Sequence, residues 1–176
     1  ALWYVEHRKL DIVHINPSLL LGPGDDRRSS TRDVEMFLEG QIKVIPLGGL
    51  NVVDVRDVAK GCLAAMEKGK AGERYLMGGP NMTFYEWIRR ASRLSGVRAP
   101  KMMVPLPVAL WGARILRKVM PWFGKRFDLD DASIRMSSVY WYCTSQKARD
   151  ELGFKTRDPD QTLRETIEYL RASART

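Results

Sequence analysis

An α/β fold organised around parallel strands is what this chain predicts, and three observations carry that reading. Asp11-Ile12-Val13-His14-Ile15-Asn16 is a nearly continuous β-favouring run stopped by Pro17, the pattern of a strand covered on both faces. Short extended runs then alternate with helical patterns, and parallel strands need such crossover connections. The helical patterns carry their own start signals, Thr83 with Glu86 and Asp158 with Pro159.

The opening, Ala1 to Ser18, reads as the tail of a helix entering that buried strand, with nothing before it to pair the strand. The expectation is therefore of a portion of a larger fold. Gly22-Pro23-Gly24-Asp25-Asp26 is loop chemistry, and Ser30 to Gly40 reads as a helix with Val34, Phe37 and Leu38 on one side. A short strand over Ile42 to Leu47 meets Gly48-Gly49, and an extended stretch from Asn51 to Val55 follows. Asp57 is the expected cap of a helix whose Val58, Cys62, Ala65 and Met66 share a face.

Arg74 to Met77 forms a strand closed by Gly78-Gly79-Pro80, and the Thr83–Glu86 capping box opens a helix ending at Gly96. From Pro105 to Val119 a helix sets Val108, Trp111, Ile115 and Val119 on one face and Arg114, Arg117 and Lys118 on another. Trp122-Phe123-Gly124-Lys125-Arg126-Phe127 continues the basic and aromatic mixture beyond Pro121. This segment serves either as a packed lid or as a membrane-surface contact. Val139 to Tyr142 reads as an aromatic strand, Thr144 as the cap of a small helix ending near Gly153, and Asp158, Pro159 and Gln161 as the start of a last helix striped by Leu163, Ile167 and Leu170.

Composition narrows the class. With 176 residues, 44% hydrophobic and 28% charged, the chain falls in the soluble globular range, as one domain plus an appendage. No apolar run reaches the ~18 residues of a membrane span, and no basic-then-apolar signal opens the chain. Its first residue is not Met, so an upstream targeting segment stays open. Two cysteines, Cys62 and Cys143, make neither a disulfide framework nor a zinc site, and a reducing, cytoplasmic setting is expected. The net charge of +8 admits nucleic acid, an anionic membrane or a phosphorylated ligand. Without an RNP pattern, zinc-finger spacing or basic aromatic sheet, nucleic acid is set aside.

Asn16-Pro17-Ser18 with Gly22-Pro23, the run Asn51 to Ala59, Gly72-Glu73-Arg74-Tyr75-Leu76, Ser145 to Arg149 and Glu151-Leu152-Gly153-Phe154 come in an order that resembles the C-terminal half of an extended short-chain dehydrogenase/reductase, the NAD-dependent epimerase/dehydratase family. Members similar to dihydroflavonol reductases, 3β-hydroxysteroid dehydrogenases and hopanoid-associated sugar epimerases are nearest in pattern. The resemblance implies the C-terminal part of a Rossmann-like doubly wound fold plus a small α/β substrate-binding lobe. Residues 1–27 would end the dinucleotide-binding domain, and 28–176 would form the substrate lobe with segments returning to the Rossmann sheet. It implies NAD or NADP in the complete protein and hydride exchange with a carbonyl or carbinol carbon.

Neither catalytic element of that family is found in these residues. Gly22-Pro23-Gly24-Asp25-Asp26-Arg27 has Arg where a pyrophosphate turn carries its third glycine. Tyr4, Tyr85 and Tyr142 are followed four residues on by Arg8, Arg89 and Gln146, and no tyrosine has lysine there. No catalytic residue and no metal ligand is assigned, and the chain alone is expected to be inactive and to bind no dinucleotide tightly.

By the resemblance, Asn16, Pro17 and Ser18 lie beside the nicotinamide. Arg56 either reaches an anionic substrate group or pairs with Asp54, and Arg135 occupies a place where nucleotide-sugar members hold a diphosphate. His14 reads as a satisfied core histidine. Met102, Met103, Trp111, Trp122 and Phe123 either line an apolar substrate pocket or pack a core or lid. The substrate is thus a small molecule, apolar or a nucleotide sugar, and a homo-oligomer stays open. A non-catalytic ligand-binding or regulatory module and a peripheral membrane protein are the rival readings.

Overall fold

The computed structural model describes residues 7, 10–124 and 130–174. Its contacts gather into two compact units, one of Ala1–Glu35, Asn51–Asn81 and Tyr142–Thr176, the other of Met36–Leu50 and Met82–Trp141.

In the first unit the run Asp11 to Asn16 forms one strand that starts later than predicted, and a second, unpredicted strand follows it. β1 (His14–Pro17) lies parallel to β5 (Arg74–Met77), with His14 opposite Arg74 and Pro17 opposite Met77. After Ser18, β2 (Leu19–Leu21) runs parallel to β4 (Gly49–Asp54), with Leu21 opposite Asp54. Pro17, lacking an N–H, sits at a strand end, where a proline is tolerated.

Helix α2 (Val55–Lys68) connects β4 to β5, and its cap differs from the one the sequence predicts. Asp54, not Asp57, is the N-cap, its carboxylate accepting from the Arg56 N–H. Asp57 lies in the first turn and accepts instead from the Arg157 backbone at 2.8 Å and guanidinium at 2.8 and 3.1 Å. A carboxylate in a first turn still favours the helix dipole, which is why either aspartate reads as a start signal.

Val58 and Ala65 turn inward with Val53, Tyr75, Met77, Ala148, Leu152 and Phe154, and Cys62 packs against them. Each fully buried large apolar side chain here contributes about 1.5–3 kcal/mol. Met66, expected on the same stripe, is 84% exposed. Helix α6 (Gln146–Leu152) has Ser145 at its N-cap; the expected Thr144 accepts from the Gln146 N–H at 3.3 Å from one residue further out. Helix α7 (Pro159–Ser173) starts after Asp158 as predicted, and Leu163, Ile167 and Leu170 are buried. Gln161 does not close a capping box; its amide donates to Glu165 at 2.9 Å.

Helix α1 (Arg32–Leu38) buries Val34 and Phe37, and the chain passes into the second unit along it. There β3 (Ile45–Pro46) pairs in parallel with β7 (Met103–Val104), and β6 (Asn81–Thr83) leads into α3 (Phe84–Ser95). The predicted capping box is formed: Thr83 Oγ1 accepts from the Glu86 N–H at 3.1 Å and Glu86 accepts from the Thr83 N–H at 2.8 Å. Trp87, Ile88 and Ala91 are buried, and Gly96 ends the helix in the left-handed conformation at φ 76°.

Helix α4 (Leu106–Val119) forms where the sequence predicts a helix. Ala113 is its buried residue, while the row Val108, Trp111, Ile115 and Val119 is exposed rather than packed as a lid. This helix is apolar on two sides, and Leu106, Leu110 and Ala113 supply an inward row at the same spacing. Periodicity alone cannot choose between two such rows.

A 3₁₀ turn (Met120–Phe123) follows, and α5 (Asp131–Met136) is tied back to α4 by ion pairs of Arg117 and Arg114 with Asp131. Met102, Met103, Trp111 and Trp122 are all exposed rather than packed in a core. The predicted aromatic strand reduces to one bridge, Tyr140 with Gly49. The tail of the basic segment, Lys125-Arg126-Phe127, and the Tyr4–Arg8 pair lie outside the described residues.

Candidate functional site at the carboxyl end of a parallel strand

Ligands of open α/β sheets bind beyond the carboxyl ends of the strands, and that end of β1 is Asn16-Pro17-Ser18. Asn16 and Pro17 are exposed, and Ser18 is half-buried. The Ser18 N–H donates to the Met77 carbonyl at 3.1 Å, fixing the chain against the end of β5. Its hydroxyl oxygen is buried and has no hydrogen-bond partner among the described residues. A buried hydroxyl left unpaired costs ~1–3 kcal/mol, and such an exception calls for a reason. His14 Nε2 and Asn51 Oδ1 are likewise buried without a partner among the described residues, so His14 is not satisfied there as the sequence predicts.

Next to Ser18 the chain after β5 is held by a polar clamp that the sequence reading missed. Gly78 donates its N–H to Ser145 Oγ at 2.6 Å, and that hydroxyl donates to the Gly78 carbonyl at 2.9 Å. Asn51 donates to the Gly79 carbonyl at 2.8 Å and to Asn81 Oδ1 at 2.6 Å, and Asn81 Oδ1 also accepts from the Cys143 N–H at 3.2 Å. A Cβ on Gly78 would stand 2.3 Å from Asn51 Oδ1 and 2.7 Å from Cys143 Sγ, so only glycine fits. The signals were an asparagine in an otherwise apolar strand and the pair Gly78-Gly79, which read only as a strand end.

Past Ser18, a cavity of about 210 Å³ is lined by Leu20, Leu21, Gly22 to Asp25, Ser29 to Thr31 and Val55. The N–H groups of Ser29, Ser30 and Thr31 in its wall all donate to the Asp25 carboxylate at 2.9–3.3 Å. Burial alone would raise the Asp25 pKa; those backbone bonds outweigh it and hold the carboxyl below its ordinary value.

Arg56 lies in the same unit but is engaged elsewhere. Its Nε and NH2 donate to the two oxygens of Asp54 at 2.9 and 2.7 Å, and NH2 also meets Glu165 at 2.5 Å. Asp54 in turn accepts from Thr162 Oγ1 at 2.9 Å. Burial pushes the Asp54 pKa up, but the Arg56 bonds and the Thr162 hydroxyl outweigh it and lower it overall. The Asp54 bond, opposed by some desolvation and aided by Glu165, raises the Arg56 pKa. Arg135 belongs to the other unit, exposed on α5. Among the described residues no three His, Cys, Asp or Glu side chains gather as a metal site, and no helix is long and apolar enough to cross a membrane.

Parallel strands joined through helices define the class, a Rossmann-like α/β fold. A solved nucleoside-diphosphate-sugar epimerase from Pseudomonas aeruginosa matches with a TM-score of 0.77 at 28% identity, covering 94% of this chain and 50% of that one. Residues 1–78 match the model of the NAD dependent epimerase/dehydratase family. The "Putative dihydroflavonol 4-reductase" of Synechocystis sp. is 33% identical over 165 residues, 91% of this chain and 48% of that protein. "Sterol demethylase protein B" of Methylococcus capsulatus is 29% identical over 170 residues, 93% of this chain and 51% of that protein. The chain belongs to the NAD-dependent epimerase/dehydratase family, and it spans about half the length of the curated relatives it matches.

Proposed function

We propose that this chain forms the substrate-side portion of an NAD(P)-dependent reductase or epimerase acting on a carbonyl or carbinol carbon. One observation carries the reading: a parallel strand ends in Asn16-Pro17-Ser18, and the buried Ser18 hydroxyl has no partner among the described residues. A hydroxyl and a side-chain amide at a strand's carboxyl end suit a nicotinamide carboxamide, which offers both a donor and an acceptor. Bound there, the cofactor would supply or take up hydride. The chain's own residues would fix which face of the ring meets the substrate. The clamp around Gly78 keeps this end rigid, as positioning requires. Arg135 is the guanidinium that would meet an anionic substrate group, such as the diphosphate of a nucleotide sugar.

The 176 residues alone have no Tyr-x-x-x-Lys pair, and the Ser29, Ser30 and Thr31 amides beyond their Gly-rich loop are occupied by Asp25. Calorimetry of this chain with NADH or NADPH is expected to give no measurable heat of binding; tight binding would refute the placement of the cofactor. In a chimera joining the chain to the dinucleotide-binding portion of the Synechocystis relative, Ser18→Ala should raise the cofactor KM about fivefold, the loss of one hydrogen bond of ~1 kcal/mol. An unchanged KM would remove Ser18 from the site.

A further inference from the structure

The outer face of α4 has no use in the site described above, and its chemistry is specific. Val108, Trp111, Ile115 and Val119 form one row and are 56, 68, 40 and 39% exposed; Leu116 borders it at 42%, and Trp122 on the following 3₁₀ turn is 87% exposed. An uninterrupted apolar row this long is uncommon on a free protein surface and marks a contact. Its flank carries Arg114 and Lys118, and neither α4 nor the turn after it contains an acidic residue. Asp131 pairs with Arg117 and, at 3.7 Å, with Arg114, which leaves the segment positive.

We infer that this face lies on an anionic lipid bilayer as an in-plane anchor. At ~1.5 Å per residue the 14 residues of α4 extend about 21 Å, short of the ~30 Å hydrocarbon core, so the helix can lie along the surface but cannot span it. Tryptophan prefers the headgroup boundary, where the ring is buried and the indole N–H stays wet, and Trp111 and Trp122 bring two such rings. Basic residues beside an apolar row add ~1 kcal/mol each near anionic lipid. Charge also decides against a second copy of this chain, because pairing the faces would bring Arg114 and Lys118 of one molecule onto those of the other, within a chain of net charge +8.

The test is flotation of the chain with vesicles of phosphatidylcholine alone and of phosphatidylcholine with phosphatidylserine, at low and high salt. Binding to the anionic vesicles, weakening as salt rises, is expected. Trp111→Ala with Trp122→Ala should lower the partition coefficient at least tenfold, and Lys118→Glu about tenfold, with circular dichroism and thermal unfolding unchanged because all three positions are exposed. A wild-type chain that stays off anionic vesicles overturns the inference. So does binding indifferent to the substitutions, which would place the contact elsewhere. A concentration-dependent dimer without lipid that Trp111→Ala abolishes overturns it in favour of self-association.

Discussion

Replacing Asp54 by alanine tests whether the charge network at the start of α2, rather than the apolar core alone, holds the first unit together. The Asp54 side chain is fully buried and does three jobs. It caps α2 through the Arg56 N–H, holds the Arg56 guanidinium at two atoms, and accepts the Thr162 hydroxyl from α7. Loss of an N-cap costs ~1 kcal/mol. Leaving the buried Thr162 hydroxyl without its acceptor costs another ~1–2 kcal/mol. The Arg56 pair adds less, under ~1 kcal/mol, because that side chain is 37% exposed and water re-solvates it. The total is about 3 kcal/mol, a fall of roughly 6–12 °C in Tm for a chain of this size.

The assay is thermal unfolding by far-UV circular dichroism, with amide exchange followed on peptides from α2 and α7. Since the Asp54 pKa is lowered in the folded state, its contribution is fully present above the unfolded value of ~3.9 and is lost as pH falls through the folded value. The gap between wild type and Asp54→Ala should therefore be widest near neutrality and close in acid. A gap under ~1 kcal/mol at pH 7, or one that persists unchanged at pH 3, would refute the reasoning.

Gly78→Ala should destabilise by ~1–3 kcal/mol in a urea titration, because the new Cβ meets Asn51, which is pinned by Gly79 and Asn81 and cannot retreat. Tyr75→Phe removes the 2.9 Å bond from a fully buried phenol to Glu151, and a loss of ~1 kcal/mol is expected by the same measurement. Thr83→Ala opens the capping box of α3 and should cost ~1 kcal/mol, read as a lower Tm. Burial raises the Cys143 thiol pKa, so alkylation at that site, followed by mass spectrometry, should be slow at pH 7 and accelerate above pH 9.

The legibility of the fold follows from where local signals are unique. Helices α3 and α7 were readable because a capping residue and a single apolar stripe agree, Thr83 with Trp87 and Ala91, Asp158 with Leu163 and Ile167. The extent of α4 was readable too, but not its covered face, because two apolar rows share one helix and only tertiary contact decides which is covered. Asp54 was passed over as a cap because it ends a strand that reads as continuous with Val55. The helix begins there only because Asp54 turns its carboxylate onto the Arg56 N–H, and that turn leaves no mark in composition or periodicity.

At the candidate site the sequence pointed to Asn16, Pro17 and Ser18 but not to what supports them. The clamp joins Asn51, Gly78, Asn81, Cys143 and Ser145, which are far apart along the chain, through bonds that no local pattern encodes. Its chemistry nevertheless has a direction. Its bonds tie down the Gly78 and Gly79 backbone and join Asn81 to Asn51 and Cys143, while Asn51 Oδ1 and the Ser18 hydroxyl have no partner among the described residues. The Ser18 hydroxyl beside that frame carries a cost that folding alone does not repay. Ser18→Ala separates the two accounts: equal or higher stability, by up to ~1 kcal/mol, means the hydroxyl is kept for a ligand, whereas a loss would mean that it has a structural partner after all. Thermal unfolding of that single variant measures the sign.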